Sequence, residues 1–368
     1  MEKEKFNGLD HLRAVAILLV LLYHYRMFDH PSWVDTVGWI GWTGVDLFFV
    51  LSGFLISNQL FKEIKERQTI RLKSFFIKRF FRIIPSYIFT LFLYFGFPIF
   101  REREALPSVW KFLSFTQNYG LDVINQGTFS HAWSLCIEEQ YYLILPIFLL
   151  IFIKTKSIDY LKFSIISLIV ISILLRILVW NQFIVPFVKT SDFWKEWYMK
   201  IYYPTYTRFD GLAIGVLIGY FFQFSSQVKK MINKNGNRLL LLGIISTGLA
   251  LWFCRNQYSE QASILGFTLV AISYGILLMG AISESSLISR KSNFFTSQLA
   301  ILSYSIYLSH KGIIHLVQLF LRKINISISD NLMLFICLIT CLFVGILYRY
   351  FIENPSAKIK TQILNSKK

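Results

Sequence analysis

Apolar residues in this chain come in long unbroken runs, not in the alternation of half-buried strands. About ten stretches are long enough to cross or nearly cross a bilayer. They lie at approximately 12–28, 39–61, 80–100, 134–153, 158–180, 209–224, 238–255, 263–283, 298–321 and 332–353. The pattern predicts an all-α, polytopic transmembrane helix bundle of about ten spans. Connections are brief except over 101–133 and 181–208, and the run at 209–224 is short. No repeat, low-complexity segment or soluble domain interrupts the series. The chain is therefore read as one integral-membrane domain over 1–368, with no appended extracytoplasmic domain.

The polar positions inside these runs carry the chemistry. In the first, FNGLDHLRAVAILLVLLYHYRMF, Arg13 and His24 stand eleven positions apart. At about 100° and about 1.5 Å per residue they share one stripe, about 16 Å apart along the axis. Ionisable groups within spans are costly and usually functional, although both ends of this helix also allow snorkelling to the two surfaces. Asp46 lies about two turns into the second run, at a depth near that of His24. It suits a His–carboxylate pair, a helix cap, or a partner on another span. Ser52 and Gly53 read as close-packing positions. Glu138 and Glu139 open the fourth run, with Glu138 on a polar stripe with Ser134, Tyr141 and Tyr142. Arg208 and Asp210 sit at the mouth of the sixth, where they suit a simple ion pair. In the ninth, His310 and Lys311 fall near mid-membrane with Tyr307 one turn away, and a lysine that deep needs a partner or a wet cavity.

Composition agrees: 55% hydrophobic, 16% charged, mean hydropathy +0.51. The formal charge of +17 raises the question of nucleic acid, and its distribution answers it. With the N-terminus inside, Lys3 and Lys5, the cluster Lys62, Lys65, Arg67, Arg71, Lys73, Lys78, Arg79 and Arg82, and the tail Lys367 and Lys368 fall on the inner side. Inner basic residues outnumber outer ones, which with an even number of spans places both termini in the cytoplasm. The charge is membrane topology, and no nucleic-acid partner is expected. Lys78, Arg79 and Arg82 crowd one helix entrance, which suits either a multiply anionic cytosolic ligand or plain anchoring. Cys136, Cys254, Cys337 and Cys341 lie in apolar runs and read as small hydrophobes, with no metal-type spacing.

LDHLRAVAILLVLLYH, with ten residues between Arg13 and His24, resembles the signature of acyltransferase family 3 membrane proteins. GVDLFFVLSGFLI, KRFFRIIPSY, WSLCIEEQYY, RFDGLAIG, SYSIYLSH and ENP resemble that family's further motifs in the same order, from about residue 6 to 356. His11 departs from the glycine common there. Some family members add a span and an esterase-like domain.

The resemblance implies transfer of an acyl group, usually acetyl, from cytosolic acyl-CoA to a hydroxyl outside. The acceptor would be a sugar of a surface or exported glycan or a glycolipid, and the site a multi-pass protein of the inner (plasma) membrane. Acyl-CoA is then a donor substrate, with no permanently bound cofactor and no metal. On this reading Arg79, Arg82 and Arg13 meet the donor's phosphates, and His24 is the general base. Asp46 or Glu138 orients His24 or stabilises its imidazolium, and Arg208, Asp210, Tyr307 and His310 line an acceptor path or tunnel. The rival reading is a proton-coupled transporter or glycan-lipid flippase using Arg13, His24, Asp46 and Lys311.

Overall fold

An apolar segment without water around it must satisfy its backbone groups internally, so such runs become helices. The computed structural model describes residues 6–103, 105–324 and 330–366, which leaves Lys3, Lys5, Lys367 and Lys368 outside the described residues. Each of the ten apolar stretches coincides with a helix. They are α1 (Asn7–Tyr25), α2 (Thr43–Arg67), α3 (Leu72–Gly96), α4 (Trp133–Lys154), α5 (Leu161–Val179), α6 (Asp210–Phe224), α7 (Gly236–Phe253), α8 (Phe267–Ile282), α9 (Phe294–Lys323) and α10 (Asp330–Tyr348). No strand occurs among the described residues.

Among the described residues, seven helices are long and apolar enough to cross a membrane, or eight if the bent pair Asp210–Phe224 and Ser226–Lys234, which turns by 104°, is counted as one. The difference from the expected ten has a physical origin. Helices α3 and α9 are 25 and 30 residues long, but α3 carries Lys73, Lys78, Arg79 and Arg82, and α9 carries His310, Lys311, Arg322 and Lys323. The helices richest in chemistry are thus the least lipid-like.

Helix α2 forms the axis of the bundle. The span that contains it is 78% buried within the protein, against 17% for α7, whose Leu241, Ile244, Leu249 and Trp252 face outward. Helix α6 crosses α2 at backbone contact. A Cβ on Gly215 would lie 2.6 Å from the Phe54 nitrogen, and one on Gly53 would strike the Leu212 carbonyl. Small residues here substitute for side-chain packing, the usual device where lipid competes for apolar surface. Helix α1 packs on α2 and α9, and α3 runs through Pro85 as one helix.

Candidate active site

Two chambers lie one after the other along α2, one bordered by Gly41, Trp42 and Val45 and the other by Val45, Phe48, Ser52 and Leu55, and α1 contributes to both. The first, of about 120 Å³, is polar: Arg13, Arg79, Arg82, Ser52, Ser134, Glu138, Glu139 and Tyr307 are among its walls. The second, of about 430 Å³, is aromatic and holds His24 and His131. Arg13 and His24, eleven positions apart on one helix, thus open into different chambers, with Val45 bordering both. Tyr307 belongs to the partition. Its hydroxyl lies 2.6 Å from Ser134 Oγ and donates to the carbonyl of His131 at 2.6 Å.

In the polar chamber, Glu138 accepts from Tyr142 at 2.5 Å and from Ser52 at 3.2 Å. Ser52 is therefore a ligand to a carboxylate and not only a packing residue. Arg79 lies over the rings of Phe75 and Tyr142, and its Nε is buried with no partner among the described residues. Arg82 pairs with Glu353 at 3.6 Å, and Ser305 donates to the same carboxylate at 2.5 Å. Arginine faces stacked on rings keep their N–H edges available for an anion.

In the aromatic chamber, the partner of His24 is not a carboxylate but His310, whose Nε2 lies 2.9 Å from His24 Nδ1. Nδ1 of His310 faces the carbonyls of Tyr307 and Ile306, at 2.8 and 3.1 Å, so it must carry the proton. In neutral His310, Nε2 then accepts, and His24 donates through Nδ1. This assignment from partners leaves the Nε2 lone pair of His24 free. The His131 ring lies 5.7 Å from that of His24 and 4.7 Å from that of His310, centroid to centroid.

Asp46, expected beside His24, pairs instead with Arg208 at 2.7 Å. The guanidinium is enclosed by Phe267, Tyr202 and Trp133, at 3.9, 4.7 and 5.3 Å from their centroids. Asp210 does not pair with Arg208 but with Arg176 of α5 at 2.9 Å, and Thr268 donates to the same oxygen at 2.5 Å. These fully buried pairs lock α2 to the start of α6, and α6 to α5 and α8. They hold the chamber walls together and line neither chamber. Arg176 sits in an apolar run with no neighbouring motif, so the sequence offered no signal for it.

Lys311 finds its required partner in Glu102, at 2.8 Å, and donates to Ser130 Oγ at 3.3 Å. Phe129 is buried with φ +54°, a region that non-glycine residues adopt only under constraint, and its amide donates to Glu102 at 3.1 Å. Burial alone would raise the Glu102 carboxyl, but the Lys311 ammonium and these N–H groups hold it below the usual carboxylate range. The loop before α4 is thus pinned by its backbone to Glu102, which Lys311 of α9 holds in turn, and this sets Ser130 and His131 beside His24. Glu102 and His131 were not legible as site residues, because their role depends on that long loop folding back into the bundle.

The chain matches the acyltransferase domain family model over residues 6–350. It is 31% identical over 331 residues to the peptidoglycan O-acetyltransferase OatA of Listeria monocytogenes, covering 84% of this chain and 49% of that protein. It is 29% identical over 377 residues to the O-acetyltransferase OatA of Staphylococcus aureus, covering 95% of this chain and 57% of that one. The chain thus spans about half the length of the curated relatives it matches. No solved structure matches it. With apolar helices around one polar and one aromatic chamber and a family match over nearly its whole length, the chain belongs to the acyltransferase 3 family of membrane proteins.

Proposed function

We propose that this chain is a membrane O-acyltransferase that moves an acetyl group from acyl-CoA, entering from the cytosol, to a hydroxyl of an extracytoplasmic glycan. The observation that carries this reading is one helix presenting Arg13 to a cationic chamber and His24 to an aromatic one. Arg13, Arg79 and Arg82 suit the phosphates and polar arm of the donor, with the buried Nε of Arg79 still lacking a partner among the described residues. The acceptor enters the aromatic chamber, and the name of the Listeria relative favours a cell-wall polysaccharide. The protein would then sit in the plasma membrane, with its basic loops inside.

At the partition, the acceptor hydroxyl attacks the thioester carbonyl while His24 Nε2 takes its proton. The C–S bond breaks as the ester C–O bond forms, and the imidazolium returns the proton to the departing thiolate, giving free CoA. His310 holds His24 in the tautomer with Nε2 free and accepts from the Nδ1–H as charge develops on the ring. Lys311, which lines the same chamber, is the cation available to the tetrahedral oxyanion. Asp46 and Glu138 are not bonded to His24, so their parts are support of the walls and of the donor chamber.

Sealed vesicles test the reading. Acetyl-CoA supplied on the basic side should acetylate a glycan acceptor held only on the other. Product formed only when both are on one side would overturn the transmembrane route.

A further inference from the structure

We infer that the aromatic chamber is a binding site for a sugar ring carrying a carboxylate, in which Arg103 takes the carboxylate and His131 accepts from a ring hydroxyl. This rests on the acyl-transfer reading and extends it to the class of acceptor.

Three cations line the chamber, and the described residues that line it include no carboxylate. Two of the cations are balanced from behind: Arg26 pairs with Asp35 at 3.0 Å and Lys311 with Glu102 at 2.8 Å. Among the described residues Arg103 meets only a neutral group, donating through Nη1 to the carbonyl of Val123 at 2.6 Å. Its seat is built. Thr128 donates to the Arg103 carbonyl at 2.6 Å, and a Cβ on Gly127 would lie 3.0 Å from both Cδ and Nη1 of the arginine. Asp122, the nearby acid of that loop, accepts from the amides of Ile124 and Asn125 at 3.1 Å each and pairs with Lys195 at 3.1 Å. It therefore fastens the loop and leaves the guanidinium fork to an outside anion.

The second observation is independent. His131 is 1% exposed, and its Nε2 lies 3.3 Å from the Leu308 carbonyl, so Nε2 carries the proton. Its Nδ1 is then an acceptor, and among the described residues it has no partner. A buried acceptor in a chamber wall lacks a donor that a ligand hydroxyl would supply. The chamber that Arg103 and His131 line is also walled by Trp194, Tyr198, Tyr203 and Tyr258, rings that offer flat apolar faces with polar edges. Such a wall fits a pyranose, which has apolar C–H faces and a rim of hydroxyls.

The test uses the full chain in phosphatidylcholine vesicles with acetyl-CoA on the basic side and either a methyl glucuronide or the matching neutral methyl glucoside on the other. The glucuronide should be preferred by about tenfold in kcat/KM, the size of one charge-assisted hydrogen bond. Arg103→Gln should bring the ratio toward one, Arg103→Lys should retain part of it, and Gly127→Ala, whose methyl would strike the Val123 carbonyl that holds the arginine, should also lower it. Binding is read separately, by quenching of tryptophan emission. Selective quenching without transfer would leave the sugar site standing and overturn the acyl-transfer reading. Equal quenching and equal turnover by the two sugars, or a preference that Arg103→Gln leaves unchanged, would overturn the site.

Discussion

The polar chamber is lined by charge held on rigid helices; the aromatic chamber is lined by rings and a loop. In the first, Arg13, Arg79 and Arg82 come from α1 and α3, and their carboxylate counterweights Glu138 and Glu353 come from α4 and the turn after α10. In the second, the walls are Tyr198, Tyr202 and Tyr203 in and after a π-helical segment, and Ser130 and His131 at the end of a long loop. On the proposed function, a donor common to many reactions is met by a fixed constellation of arginines. On the same proposal, the acceptor is met where backbone irregularity lets side chains be re-aimed. The two meet where Tyr307 and Val45 separate them, next to the His24–His310 pair.

The largest expected effect lies at that meeting point. His24→Ala should lower kcat by roughly 10²- to 10⁴-fold, the usual worth of a general base, with membrane insertion intact. Near-normal turnover in a well-expressed variant would remove the base from the mechanism. Next is Glu102→Gln, which leaves the Lys311 ammonium buried and unpaired and should cost about 3–5 kcal/mol of stability, read by thermal unfolding in detergent. The sign with pH follows from the lowered carboxyl of Glu102. Its stabilisation is present above the ordinary carboxylate range and is lost as pH falls through the lowered folded-state value. The wild type should therefore lose stability in acid more steeply than Glu102→Gln, and parallel acid profiles would mean that the ion pair contributes nothing net.

What the sequence made legible was whatever a single helix determines. The helical runs, the shared stripe of Arg13 and His24 and the cationic entrance of α3 depend on local periodicity, and the structure gives each helix where the pattern put it. The need of Lys311 for a partner was also legible, because burying an ammonium is costly wherever it occurs. The identity of partners was not. Equal depth suggested Asp46 for His24, but depth leaves the rotation of α2 open, and that rotation is set by the glycine contact of Gly53 and Gly215 with the facing backbone. It delivers Asp46 to Arg208 and leaves His24 to α9. Likewise Arg208 and Asp210 are two residues apart and still choose different partners, because Arg208 ends the short helix Thr205–Arg208 while Asp210 begins α6.

A smaller effect should distinguish the chambers by ligand. Arg79→Ala and Arg82→Ala should raise the KM for acetyl-CoA by about tenfold, the worth of a lost charge-assisted contact, and change acceptor KM little. Lysine at position 79 should restore little of this, since it cannot both stack on Phe75 and Tyr142 and present a fork. An equal rise in both KM values would show that the two chambers are not separate sites.

The smallest effect tests the partition itself. Tyr307 holds its ring between the chambers by one hydroxyl, which meets Ser134 Oγ and the His131 carbonyl at 2.6 Å each. Tyr307→Phe keeps the ring and removes both bonds, so the ring should swing more freely and admit water to the thioester. A neutral hydrogen bond contributes about 0.5–1.5 kcal/mol net, so acetyl-CoA hydrolysis without acceptor should rise by about threefold, and further in Tyr307→Ala. Both variants should retain transfer to acceptor, because the base and its histidine partner are untouched. If hydrolysis stays at the wild-type level in both, Tyr307 is packing and the barrier between donor and acceptor lies elsewhere, with Val45 the next residue to replace.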